Sequence, residues 1–308
     1  MRLLRLLDFI FFLRPVILIP FWSFMLLGYV HSRETWLPVL DAKGGILPVL
    51  FIGTAFMGII HILNQIADRS SDHINQKLFF IPDKIISLKQ AYGQAILLLV
   101  ISLPLLIIYG MDKICIYFII SILPLGLLYS LPPVRLKARP VVDALMNAIG
   151  YGWVAFSIGW LSYGEFTRDI SLQSLPYMLA VAAMYINTTL IDAEGDRNSR
   201  YKTTGIWLGV KKATFFSFIC ILMVIVTGFW LRSWVCLITA VVSLPVYFLA
   251  WHKQTDRWIR LSLHLPGRLF IFLTGLIFPF YLIFLILLYF ITRWYYKNRF
   301  NMTYPAMD

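Results

Sequence analysis

Charge is what this sequence has least of. Only 14% of its 308 residues are Asp, Glu, Lys or Arg, and the acids number 15. A water-soluble domain carries about a quarter charged residues, so composition excludes that class. Cysteine is nearly absent too. Cys115, Cys220 and Cys236 are scattered through apolar stretches with no CxxC or Cys/His spacing, which removes a disulfide framework and a zinc site and leaves packing as their role. Low-complexity segments and linkers are lacking, and little chain remains outside the apolar runs, so one domain over 1–308 is expected. The opening "MRLLRLLDFIFFLRPVILIPF" has a basic start and an apolar run, yet no small-residue cleavage site follows and Arg14-Pro15 interrupts the run. It reads as a retained first helix rather than a signal peptide.

What is present is apolar: 60% hydrophobic and 16% aromatic. Crossing about 30 Å of hydrocarbon takes about 20 apolar residues as a helix. Runs of that length lie near 9–30, 46–66, 88–110, 114–131, 141–163, 171–191, 209–230, 233–252 and 268–292. The fold class expected is an all-α integral membrane protein, with about nine transmembrane helices bundled around a central cavity.

The net charge of +12 is spread over short loops rather than gathered in a basic domain, so it does not mark a nucleic-acid partner. Topology accounts for it. With nine spans, 19 of the 27 Lys and Arg fall on the side of the N-terminus and the loops after helices 2, 4, 6 and 8, and 8 on the other. The positive-inside rule makes the first side cytoplasmic. The basic tail (Arg293, Lys297, Arg299) then falls on the opposite side, against the rule.

The few acids are concentrated. In "NQIADRSSD" Asn64, Asp68 and Asp72 stand at i, i+4 and i+8, one stripe of a helix. "LIDAEGDRNSRYKT" repeats the pattern with Asp192 and Asp196, and Glu194 between them. Carboxylates crowded at a helix end near hydrocarbon repel one another, and a divalent cation relieves that. Mg²⁺ takes oxygen ligands and is commonly held by one or two carboxylates together with substrate phosphates. Two such clusters on one side would frame Mg²⁺ ions bridging a diphosphate. Solvated helix ends paired with Arg69, Arg197 and Lys202 would explain either cluster alone, but not the repeated spacing. A weak echo between the halves, with Asn64 and Asp192 in corresponding places, agrees with a site built across a cavity.

Basic residues flank both clusters: Lys77 and Lys84 after the first, Arg197, Arg200 and Lys202 after the second, and Arg135, Lys137 and Arg139 in "RLKARP". They are candidates for phosphate oxygens. Arg14 lies inside an apolar run, where a cation is costly and turns toward the bundle interior or snorkels. Aromatics at Tyr151, Trp153, Phe156, Trp160, Tyr185, Tyr247, Phe248 and Trp251 could line a channel or stabilise a carbocation, although packing and interfacial roles claim many such residues.

With these residues assembled, the chain resembles the UbiA superfamily of intramembrane prenyltransferases. "NQIADRSSDHIN" is similar to its Asn-x-x-x-Asp-x-x-x-Asp motif, "YSLPPVRLKARPVVDALMNAIGYG" (129–152) to its Tyr-Ser-x-Pro-Pro-x-Arg-Leu-Lys loop and following helix, and "DAEGDRNSRYKT" to its second Asp-rich motif. The resemblance implies a cavity capped by cytoplasmic loops and a polyprenyl diphosphate donor bound through Mg²⁺. Asn64, Asp68 and Asp72 would hold one ion and Asp192 and Asp196 another. Lys202 and the Arg135/Lys137 loop would neutralise diphosphate, and Asn64, Arg14 and Lys77 are further candidates for diphosphate binding on the reading of the residues themselves. The acceptor implied is a hydrophobic aromatic or lipid; quinone-type aromatics, a tetrapyrrole propionate and a glycerol phosphate lipid all fit. Departures are Gln65 where many members have Asp, "QKLFFIPDKIIS" (76–87) without the usual Arg and Gly, Thr189, and Arg200 for Gly. Other diphosphate-donor transfer of the phosphoribosyl type, secondary transport and non-catalytic lipid binding are the competing readings.

Overall fold

The computed structural model describes residues 2–33, 36, 46–75, 79–109, 113–199 and 201–304; the side chains of 2, 3, 70–75, 113 and 114 lie outside that description. The described residues contain helices and no strand. They are α1 (Arg2–Phe12), α2 (Pro15–Ser32), α3 (Ile46–Asn75), α4 (Leu88–Ile108), α5 (Lys113–Ser130), α6 (Val142–Asn147), α7 (Phe156–Leu161), α8 (Asp169–Ile191), α9 (Ala193–Asn198), α10 (Thr204–Trp230), α11 (Trp234–Lys253), α12 (Asp256–Ile277) and α13 (Pro279–Phe300). A π-helical stretch, Ala148–Ala155, joins α6 to α7 into one rod. Among the described residues, eight helices are long and apolar enough to cross a membrane, counting Val142–Leu161 as one, and Cys115–Ser130 is a shorter apolar one.

The first expected span, 9–30, is two helices. Pro15 disfavours helical backbone at the residue before it, and Arg14 turns left-handed (φ 59°, ψ 58°). The break frees carbonyls that have no water to turn to, and side chains of the neighbouring helices satisfy them. Gln94 Nε2 donates to Phe9 O (2.8 Å), Gln65 Nε2 to Phe12 O (2.9 Å) and His61 Nδ1 to Leu13 O (2.9 Å). Ile10 and Phe11 carbonyls accept from Leu13 and Arg14 N–H.

The centre of the bundle is the crossing of α2 and α7. A Cβ on Gly28 would lie 1.9 Å from the Phe156 carbonyl oxygen, and one on Gly159 1.7 Å from that of Met25. Without a hydrophobic drive between helices in lipid, close backbone approach through small residues supplies the packing. Most of α2 is buried, and Phe24, Phe156 and Tyr177 form a ring cluster beneath it.

The ninth expected span, 268–292, is also corrected. Pro279 starts a new helix, so the apolar run covers the end of α12 and most of α13. The chain reverses between them and α13 returns to α1. There Arg299 Nε and Nη2 each donate to Asp8 at 3.0 Å, and Tyr295 OH donates to Asp8 at 2.6 Å. The last turns of α13, with their basic residues, therefore lie against α1. The three cysteines form no disulfide with one another, and Cys115 and Cys236 are buried.

Candidate active site

Asn64 and Asp68 sit on adjacent turns of α3, and the loop after α5 carries cations to both. Lys137 Nζ donates to Asn64 Oδ1 (3.1 Å) and forms a short ion pair with Asp68, while Arg135 Nη2 bonds the other Asp68 oxygen (3.1 Å). Arg135 reaches this place through a left-handed turn (φ 43°). The side chains are 11% exposed for Asp68, 14% for Lys137 and 27% for Arg135. Two cations on one carboxylate leave positive charge in a half-buried place, where an anion is attracted far more than at a wet surface.

The second cluster joins this arrangement through Tyr201. Arg135 Cζ lies 5.2 Å and Lys137 Nζ 5.9 Å from the Tyr201 ring centroid, and Tyr201 N–H donates to Asp196 O (2.8 Å). Asp192 ends α8 and begins α9, and its carbonyl accepts from Asp196 N–H (2.9 Å), so the two acids keep one-turn spacing across the junction. Both are partly buried, whereas Glu194 is exposed.

Asp143, which motif reasoning did not single out, locks the frame. It is fully buried; its Oδ2 accepts Thr204 N–H (2.8 Å), and its Oδ1 accepts Ala144 N–H (2.8 Å) and the Thr204 hydroxyl in a short bond. Thr204 Oγ1 also accepts Val141 N–H (2.7 Å). The end of the basic loop is thus fastened to the start of α10, just after the second cluster. The departures at Gln65 and Thr189 have structural occupations as well. Gln65 caps the α1–α2 break, and Thr189 Oγ1 accepts Gly205 N–H (2.9 Å) where α10 meets α8.

Beneath the polar end lies a cavity of about 320 Å³ lined by Arg14, His61, Asn64, Tyr129, Asn147 and Tyr151 among others. A second, of about 610 Å³, shares Ile17, Asn147 and Tyr151 with it and continues past Tyr185 and Thr188 to α12. Asn147 Nδ2 donates to Tyr129 OH, which bonds Tyr185 OH, both at 2.9 Å. Of the aromatics expected to line a channel, Tyr151 and Tyr185 do so. Trp153 instead bonds Ser171 and packs on Phe118, while Phe248 and Trp251 pack around Phe218.

The structure therefore joins Asn64, Asp68, Arg135 and Lys137 by hydrogen bonds and ion pairs, places Asn64 and Arg14 in the wall of one cavity, and ties the second acidic cluster to the pair of cations through Tyr201. Lys202 is exposed, with no ion pair to a described carboxylate. Asp72 continues the α3 stripe, but its side chain, like the whole of Lys77 and Arg200, lies outside the described residues. No group of three or more His, Cys, Asp or Glu converges among the described residues. An oxygen-only set of amide and carboxylates still suits Mg²⁺, which keeps waters and shares its shell with phosphate rather than needing a full protein cage.

The model of the UbiA prenyltransferase family matches residues 17–274. The chain belongs to that family. Among curated UbiA relatives, it is similar to the bacteriochlorophyll synthase 34 kDa chain of Chloroflexus aurantiacus (25% identical, covering 58% of this chain and 56% of that one). It is also similar to chlorophyll synthase of Avena sativa (26%, 65% and 54%) and to 2-acyl-4-prenylphloroglucinol 6-prenyltransferase of Humulus lupulus (26%, 70% and 51%). The chain spans about half the length of these relatives. In fold it matches a UbiA homologue from Archaeoglobus fulgidus bound to GPP and Mg²⁺, with TM-score 0.63, 18% identity, and coverage of 88% of this chain and 99% of that one. Digeranylgeranylglyceryl phosphate synthase matches with TM-score 0.67, 16% identity, 88% and 97%.

Proposed function

We propose that this chain transfers a prenyl group from a prenyl diphosphate to a hydrophobic acceptor within the membrane. The observation that carries the reading is the cation pair Arg135 and Lys137 held over Asn64 and Asp68, with Tyr201 tying the second acidic cluster to them, at the mouth of an apolar cavity. The Archaeoglobus homologue bound to GPP and Mg²⁺ supports the donor class. By that reading the acidic clusters lie at the cytoplasmic face.

Asn64, Asp68 and Asp72 on α3, with Asp192 and Asp196, would hold divalent cations together with the diphosphate oxygens. The bound metal would supply charge neutralisation for the departing diphosphate. Arg135 and Lys137 exchange Asp68 for phosphate oxygens when the donor enters. Both donate to an anion whose charge grows as the allylic carbon–oxygen bond breaks. Both electrons of that bond leave with diphosphate. The acceptor's electron pair then forms the new bond to the allylic carbon, and the acceptor loses its proton. Tyr151 and the apolar cavity wall keep water from the cation, so that coupling wins over hydrolysis.

Purified protein with Mg²⁺, GPP and a membrane lipid extract as the source of acceptor is expected to release diphosphate. Asp68→Asn or Asp192→Asn should lower the rate by on the order of 100-fold or more, and EDTA should abolish it. Undiminished turnover in both variants would sink the metal-frame reading.

A further inference from the structure

The cavity beneath Asn64 has four walls, and one of them carries a glycine halfway down. Asn64, Ile60 and Met57 descend α3, and Tyr129, Leu125 and Ile122 descend α5. Ile17 and Phe21 lie on α2, and Asn147, Gly150 and Val154 on the rod that α6, the π-helical stretch and α7 make together. Met57 is seven positions from Asn64, so at 1.5 Å per residue the cavity runs about 10 Å from its polar end to a floor of Phe21, Met57, Ile122 and Val154. The rod and α3 each pack against α2 and α5, so Gly150 faces α3 across the space.

Neither backbone nor packing calls for that glycine. Its backbone is not left-handed; among the described glycines only Gly209 has a positive φ. A Cβ on Gly152, in the same rod, would lie 2.5 Å from Met178 Cα, and one on Gly126 2.6 Å from Ile60 Cδ1, so those two let helices approach. A Cβ on Gly150 meets nothing within 4 Å beyond its own helix and chain neighbours. Gly93 on α4 is equally unobstructed but exposed, whereas Gly150 is half-buried and opens on the cavity. A glycine weakens a helix interior, and this one stands in a π-helical stretch, a distortion that recurs at functional sites. The empty place beside it is cavity.

Resting on the transfer reading above, we propose that Gly150 determines the length of prenyl donor this chain accepts. With the diphosphate at the Asn64 end, the tail descends the cavity and its first isoprene unit ends near the level of Gly150. The second unit passes between Gly150 and α3 toward the floor. A side chain at position 150 would fill that passage and leave room for a single unit. The donor class is therefore a diphosphate of more than one isoprene unit.

The test uses the full chain in phosphatidylcholine nanodiscs with Mg²⁺ and a membrane lipid extract as the source of acceptor. Diphosphate release gives kcat/KM for GPP and for dimethylallyl diphosphate, and calorimetry on the same preparations gives the binding of each donor. The unaltered protein should use GPP at least as well as the shorter donor. Gly150→Val should lower kcat/KM for GPP relative to that for dimethylallyl diphosphate by ~10-fold or more, and Gly150→Ala should shift the ratio the same way by less. An unaltered protein that favours the shorter donor overturns the inference without any variant having to fold. So does a donor ratio that stays the same in the Val and Ala variants, whether both donors are kept or both are lost. No turnover by the unaltered protein, with the Val variant still discriminating against GPP in binding, would sink the transfer reading alone; turnover with an unchanged ratio would sink only the assignment to Gly150.

Discussion

Gln65 shows how a single side chain can depart from a family pattern for a local reason. An amide there donates to Phe12 O and to the His61 carbonyl at 3.1 Å; an ionised carboxylate has no proton to give. Gln65→Glu should therefore leave the Phe12 carbonyl unpaired and set a charge against it, lowering stability by about 1–3 kcal/mol, read as a fall in Tm in detergent. Gln65→Asn, too short to reach, should fall less because it adds no charge. The acidic stripes were legible in the sequence because spacing along one helix is local information. The pairing of Asp68 with Arg135 and Lys137 was not, since it joins residues 67 and 69 positions apart. Asp143 was passed over for the same reason: an acid at the start of a helix explains itself locally, and nothing in its neighbourhood points to Thr204.

At the level of the element, the Gly28 and Gly159 contact sets how closely α2 and α7 cross. Gly159→Ala places a methyl against Met25 backbone, which cannot rotate away, so a loss of at least about 3 kcal/mol is expected. Gly93→Ala, which meets nothing within 4 Å on α4, should be neutral or slightly stabilising. Thermal unfolding of the pair separates packing from helix propensity. Helix existence was readable from apolar run length, but two boundaries were not. At Pro15 the interruption by Arg14 is visible in the sequence but not that it divides one span into two helices; at Pro279 an unbroken apolar run masks the proline, because hydropathy sums over a window while a break is decided at one backbone angle.

Over the whole molecule, the clamp between Asp8 and Arg299 joins the two ends of the chain. Asp8 is 3% exposed and accepts from Tyr295 as well. Arg299→Met leaves a buried carboxylate half-satisfied and should cost about 3 kcal/mol, with faster hydrogen exchange confined to α1 and α13. Reporter fusions at the two ends should both give the cytoplasmic signal; opposite signals would refute the return of α13.

The clamp also orders events in time. The guanidinium that holds Asp8 is made 291 residues after it. Until then Asp8 lacks the Tyr295 and Arg299 side chains that bond it in the folded protein. The last turn of α13 is the latch that seats α1, and with it the Arg14 corner of the cavity, so the site depends on a helix made long after the residues that form it.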